Sequence, residues 1–226
     1  MRSVVTGANR GIGFEFVRQM LARGDDVVAG VRRPDRADSL RALASERLRI
    51  LTLDVADPAS VVAFARELGD EPVDLLINNA GIVGDRGELT SLDAEDLSRT
   101  FLVNAVGPVL VTRALLPNLR RGQARKVVHL SSGMGSIGDN TSGGSYGYRM
   151  SKAALNMASR NLAHDLKLDG ITSVVLNPGW VQTDMGGPDA TLPVSESVRR
   201  MLGIIDKLTI ERTGQFLNHT GDTYEW

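Results

Sequence analysis

The segment Thr6-Gly7-Ala8-Asn9-Arg10-Gly11-Ile12-Gly13 follows the β-branched pair Val4-Val5 and leads directly into a helical pattern at Phe14 to Leu21. A strand that turns through glycines straight into a helix leaves the chain few folds to continue into. The glycines permit a tight turn and close backbone approach, and the first N–H groups of the helix face outward, where a pyrophosphate can sit. The spacing Gly-x3-Gly-x-Gly differs from the commoner Gly-x-Gly-x-x-Gly. Its meaning therefore depends on the rest of the chain.

That chain alternates short apolar runs with helical patterns. Strands are expected at Asp26 to Val31, Leu48 to Leu53, Val73 to Ile77, Lys126 to Leu130, Ile171 to Leu176 and Gln215 to Asn218. Helices are expected near Leu40 to Ala44, at Val61 to Leu68 behind an Asp57-Pro58 start, at Asp93 to Leu116 with a bend at Pro108, at Tyr148 to Lys167 and at Ser195 to Leu208. The strands are too apolar to have a wet face. The fold class is α/β: a Rossmann-type doubly wound parallel sheet with helices on both faces, in a single domain spanning residues 1–226.

Composition narrows the function classes. A net charge of -1, with Lys and Arg scattered, gives no reason to expect nucleic acid or an anionic membrane. The absence of cysteine excludes disulfides and thiolate chemistry. No apolar run reaches a membrane span, and the glycine turn begins too early to leave room for a signal peptide, so a cytoplasmic location is expected. His129, His164 and His219 lack metal-cluster spacing, and no metal is expected. The Gly-x-Ser-x-Gly pattern of a hydrolase elbow is missing around Ser131 and Ser132.

The chemistry centres on Tyr148 and Lys152, which share one face of a helix. A nearby cation favours phenolate and lowers a phenol's pKa, which suits acid/base work on a carbonyl or alcohol oxygen. Tyr146 has Met150 four residues on, where Tyr148 has a base.

The glycine turn, Asn78-Asn79-Ala80-Gly81, Ser131-Ser132, Tyr148-x3-Lys152 and Pro178-Gly179, in this order along nearly the whole chain, resemble the short-chain dehydrogenase/reductase family. Among its members, the sniffer-like carbonyl reductases and C-factor-like proteins look most similar. The resemblance implies that Tyr148 exchanges the substrate-oxygen proton, Lys152 tunes it and holds the nicotinamide ribose, and Ser132 orients the carbonyl, with Ser136 as the alternative. It implies that Asn104 helps hold a water in the proton relay, although an amide there could equally bond a neighbouring backbone. It assigns the cofactor to Gly7, Asn9, Arg10, Gly11, Ile12 and Gly13, to Asn79, Ala80 and Gly81, to Pro178 and Gly179, and to Val181 and Thr183 at the carboxamide. Asp54, beside Val55, resembles the family's adenine-binding Asp, though it could equally cap a loop. A substrate lid is expected around 184–194.

The choice of dinucleotide rests on charge. The second strand ends at Arg32-Arg33 with no acid before Asp35, and the glycine turn carries Arg10, so NADP(H) is expected, held by Arg10 and Arg32. The expected function is NADPH-dependent reduction of a ketone, aldehyde or quinone. Two other readings are a dinucleotide-sensing regulatory protein and an alcohol dehydrogenase working oxidatively. Relatives pair through helices equivalent to Asp93–Leu116 and Tyr148–Lys167 while others are monomers, so the resemblance leaves homodimer, homotetramer and monomer open.

Overall fold

Short apolar runs, buried on both faces in the central strands and partly exposed in the edge strand Leu48–Thr52, form a seven-stranded parallel sheet in this computed structural model, which describes residues 1–87 and 89–226. The strands are β1 (Arg2–Thr6), β2 (Asp26–Val31), β3 (Leu48–Thr52), β4 (Leu75–Asn78), β5 (Lys126–Leu130), β6 (Thr172–Asn177) and β7 (Phe216–Asn218). Their order is β3-β2-β1-β4-β5-β6-β7. Chain order therefore reverses between β1 and β4, and the crevice at their carboxyl ends is where open α/β sheets bind ligands.

Two apolar layers flank the sheet. On one side α1 (Gly11–Ala22) and α8 (Val194–Asp206) cover Val5, Ile77, Val128 and Val174 through Phe16, Met20, Met201 and Ile205. On the other, α3 (Pro58–Leu68) and α5 (Gly107–Ala114) cover Val4, Leu76 and Val127 through Phe64, Leu68 and Val111. The short α2 (Asp38–Arg41) buries Leu40 alone. As read from the sequence, α3 starts with Pro58 in its first turn and Asp57 accepting from the Ala59 N–H.

The expected long helix from Asp93 to Leu116 is divided. Asp93 caps α4 (Ala94–Phe101), a π-helical turn follows at Leu102–Val106, and α5 ends at Ala114 before a separate α6 (Leu116–Arg121) with proline in its first turn. The irregularity precedes Pro108, which sits in the first turn of α5. It brings Asn104, fully buried, against the loop after β4. Parallel to this run, α7 (Tyr146–Asp165) packs closely on α4. Leu102, Val106, Met150 and Met157 remain exposed along these two stretches.

The ends of β1 and β4 are joined by one side chain. The Thr6 hydroxyl accepts from the Asn79 and Ala80 N–H groups, both at 3.0 Å. Replacing it by an apolar isostere strips two donors of their acceptor, a loss of about 1–3 kcal/mol. Thr6→Val is expected to lower unfolding free energy by that amount in urea titration, with Thr6→Ser keeping most of it.

Candidate active site

The glycine turn is built for close approach. Gly7 and Gly11 have φ of +63° and +53°, the left-handed region that disfavours side chains. A Cβ on Gly7 would lie 2.8 Å from Ala80 Cα, and one on Gly13 would overlap the Gly7 carbonyl and the Asn79 amide. Asn79 explains part of this crowding, since its Nδ2 donates to the Thr6 and Gly7 carbonyls at 2.8 and 3.1 Å. Its side chain thus braces the turn. No side chain caps α1, and the Phe14 N–H is the one that closes its first turn onto the Arg10 carbonyl. The preceding amides, Ile12 included, stand at the start of the helix, the kind of position where an anion can be held.

Tyr148, Lys152, Ser132 and Asn104 converge at the carboxyl edge of the sheet. Ser132 leaves the end of β5 in extended conformation, accepts from the Met134 N–H at 3.1 Å, and lies within hydrogen-bonding reach of the Tyr148 hydroxyl. Ser136 is buried and accepts from the Asp139 N–H, while Ser131 donates to Asn156 on α7. Lys152 is buried, and its ammonium donates to the Leu130 carbonyl at 2.8 Å while standing over the Tyr148 ring, 5.6 Å from its centre. Burial lowers the Lys152 pKa to about 8.

The Tyr148 pKa is shifted up, against the direction expected from a neighbouring cation. Burial pushes the phenol up from its ordinary value, and Ser132 and the charge of Arg86 oppose that shift without cancelling it. Tyr148 is accordingly a neutral hydrogen-bonding group at physiological pH. The Asn104 carboxamide is engaged on both atoms: Oδ1 accepts from the Ile82 N–H, and Nδ2 donates to the Ile82 carbonyl at 2.8 Å and to Ser151 at 3.0 Å. Ser151 in turn donates to the Tyr148 carbonyl. Asn104 thereby ties the loop after β4 to α7. A Cβ on Gly81 would sit 3.3 Å from Asn104 Oδ1 and 3.6 Å from Lys152 Nζ, so small size matters there.

The remaining expected residues follow the carboxyl ends of β1, β2, β3 and β6. Asp54 accepts from the Ala56 N–H within its own turn, and the buried Val55 lies against Gly107. Asn9 and Arg32 are exposed at the ends of β1 and β2. Arg32 has no ion-pair partner among the described residues, whereas Arg33 pairs with Asp35. Arg10 meets Asp184 at 3.3 Å across the crevice. After β6, the Pro178 carbonyl accepts from Ser197, Gly179 crowds His219, and Val181 bridges to Leu192. Thr183 lies over Gly11, its methyl 3.5 Å from a Cβ built there. The stretch after it is internally bonded, with the Trp180 indole donating to Gly186 and Thr183 accepting from the Gly186 N–H. Sequence reading missed Thr6, Ile82, Arg86 and Ser151 as parts of the site. Only Thr6, immediately before the first glycine, carried a local signal.

A crevice of this topology, with tyrosine, lysine and serine at its edge, defines an α/β oxidoreductase. Residues 2–191 match the short chain dehydrogenase family, and the chain belongs to it. The chain is 54% identical over 164 residues to the C-signal of Myxococcus xanthus, an alignment covering 73% of this chain and 99% of that protein. Among solved structures, the NADPH-bound carbonyl reductase from chicken fatty liver superposes with a TM-score of 0.93 at 37% identity, covering 100% of this chain and 98% of that one. The carbonyl reductase Sniffer of D. melanogaster gives 0.95 at 33% identity, covering 100% and 99%.

Burial of Lys152 makes stability depend on pH. Between about 8 and 10.5 the unfolded chain binds the lysine proton that the folded chain has released, so folded stability rises with pH across that window. In urea titrations without added cofactor, the stability of the wild type relative to Lys152→Met is expected to improve by up to about 3 kcal/mol from pH 7 to 10.5. A pH-independent difference would mean that the ammonium is not desolvated.

Proposed function

We propose that this protein reduces the carbonyl group of a small molecule to an alcohol, with NADPH as the reductant and Tyr148 as the proton donor. The observation that carries the reading is the buried Lys152 ammonium, bonded to the Leu130 carbonyl at the end of β5 and standing 5.6 Å from the centre of the Tyr148 ring, with Ser132 two residues beyond that carbonyl. A phenol that keeps its proton at neutral pH is suited to giving it to an oxygen that gains negative charge.

The residues present fit a dinucleotide. Gly7, Gly11 and Gly13 leave a cradle that a Cβ would fill, and the uncapped start of α1 offers amides to a pyrophosphate. Arg32 is free to meet a 2′-phosphate. Arg10 is held by Asp184, but both side chains are largely exposed, and such a pair contributes little and exchanges readily for a phosphate. The NADPH named for the chicken carbonyl reductase supports the same assignment. When bound, the dinucleotide supplies a hydride.

The chain's own groups do the rest. Ser132 hydrogen-bonds and polarises the substrate oxygen, and Tyr148 delivers its proton to that oxygen. Lys152 keeps positive charge beneath the ring as the phenolate forms. Asn104, through Ile82 and Ser151, fixes the distance between the loop after β4 and α7. We further propose that Val181 and Thr183 border the nicotinamide end, that Asn79 to Gly81, Asp54 and Val55 border the adenosine end, and that 184–194 covers the substrate.

Similarity to the C-signal supports a second reading, a dinucleotide-sensing regulator on the same fold. The two separate on Tyr148. With a panel of aldehydes, ketones and quinones, Tyr148→Phe is expected to lower kcat by about 100-fold or more, the scale of a lost general acid. Arg32→Ala is expected to lower the NADPH-over-NADH preference in kcat/KM by about tenfold, the worth of one charge-assisted phosphate contact. Full turnover by Tyr148→Phe would overturn the catalytic reading. A regulatory response that survives in that variant would favour the regulator.

A further inference from the structure

One charge near the proposed acid takes no part in the proton transfer itself. Arg86 stands on the loop after β4, whose course is set by Asn104 clasping Ile82 and by Asp96 accepting from the Asp85 N–H at 2.6 Å. Its guanidinium reaches across the cleft mouth to the Met185 carbonyl at 3.1 Å. Its charge acts on the Tyr148 phenol from there.

A guanidinium has five N–H donors in a planar fork that matches a carboxylate. Among the described residues the Met185 carbonyl is its one hydrogen-bond partner, and no carboxylate lies within ion-pair distance of it. Among the described residues, the neighbouring acids are otherwise engaged, Asp85 with the Gly87 N–H and Asp96, on α4, with the Asp85 N–H. Arg10, Arg33 and Arg41 at the same sheet edge each hold an aspartate. Among the described residues Arg86 is thus a cation without a carboxylate partner, held between the loop after β4 and the segment after β6.

We propose that Arg86 is a specificity-determining residue that receives a carboxylate on the substrate, so that the preferred substrates are carbonyl compounds carrying one such group apart from the reacting carbon. A single planar cation, with no second Lys or Arg bonded beside it, suits one carboxylate better than a doubly charged phosphate. The inference rests on the reading that Tyr148 protonates a carbonyl oxygen.

The test compares 4-acetylbenzoate with methyl 4-acetylbenzoate, which share the ketone and differ in charge. Dissociation constants are measured by calorimetry for the protein with NADP+, which cannot reduce either ketone, and kcat/KM is measured with NADPH. The acid is expected to bind about tenfold or more tightly than the ester in the wild type. Arg86→Ala is expected to bring that ratio to near one, Arg86→Lys to retain part of it, and Arg86→Glu to invert it; kcat/KM ratios should follow. A wild-type ratio near one, an unchanged ratio in Arg86→Ala, or equal weakening of both ligands in that variant would overturn the proposal, the last by assigning Arg86 to holding Met185. Discrimination in binding without reduction of either ketone would sustain the anion site and overturn the reductase reading. Equal reduction of both would do the reverse.

Discussion

The burial of one ammonium organises the carboxyl edge of this sheet. Lys152 lies under the Tyr148 ring with the Leu130 carbonyl as its hydrogen-bond acceptor, and burial lowers its pKa to about 8. A cation in such a place needs fixed dipoles around it, because desolvation penalises the charged form. The end of β5 supplies the carbonyl, and the same strand end then presents Ser132 to Tyr148. Gly81 and Gly135 leave room for the lysine, a Cβ on Gly135 falling 2.7 Å from Lys152 Cβ. Strand, loop and helix are therefore constrained by a single side chain.

Tyr148 and the glycine turn belong to opposite ends of the chain's first two-thirds, and the fold joins them through the loop after β4. Thr6 and Asn79 fasten that loop to the turn, while Asn104 and Ser151 fasten it to α7. The π-helical turn at Leu102–Val106 contains Asn104, whose buried amide reaches Ile82 and Ser151 from there. The chain's departure from a regular helix thus coincides with the residue that ties the loop after β4 to α7. Irregular helical turns of this kind are frequent at functional sites.

Much of this was legible in the sequence because it is local. Runs such as Val27-Val28-Ala29 and Val127-Val128 identify buried parallel strands, and Tyr148 and Lys152 meet because residues four apart share a helix face. The rest depends on contacts that spacing cannot show. Asn104 could be read as a relay residue or a backbone-bonding amide, and only the three-dimensional arrangement places Ile82 against it. Arg10 could be read as a free phosphate ligand, yet it meets Asp184 far along the chain. The direction of the Tyr148 shift is hidden for a similar reason: a neighbouring cation is visible in the sequence, but the burial that pushes the phenol up is not. Arg86 carried no motif at all.

On the proposed reading, Tyr148, Ser132 and Lys152 serve a step in which a carbonyl carbon receives a hydride while its oxygen takes the phenol proton. The direct measurement is isotope transfer from NADPH dideuterated at the nicotinamide C4 to a ketone that the protein turns over, read by mass spectrometry of the alcohol. The account predicts one deuterium on the carbinol carbon for each NADPH consumed. An alcohol free of deuterium, or a protein that binds NADPH and transfers nothing to any carbonyl compound, would contradict it.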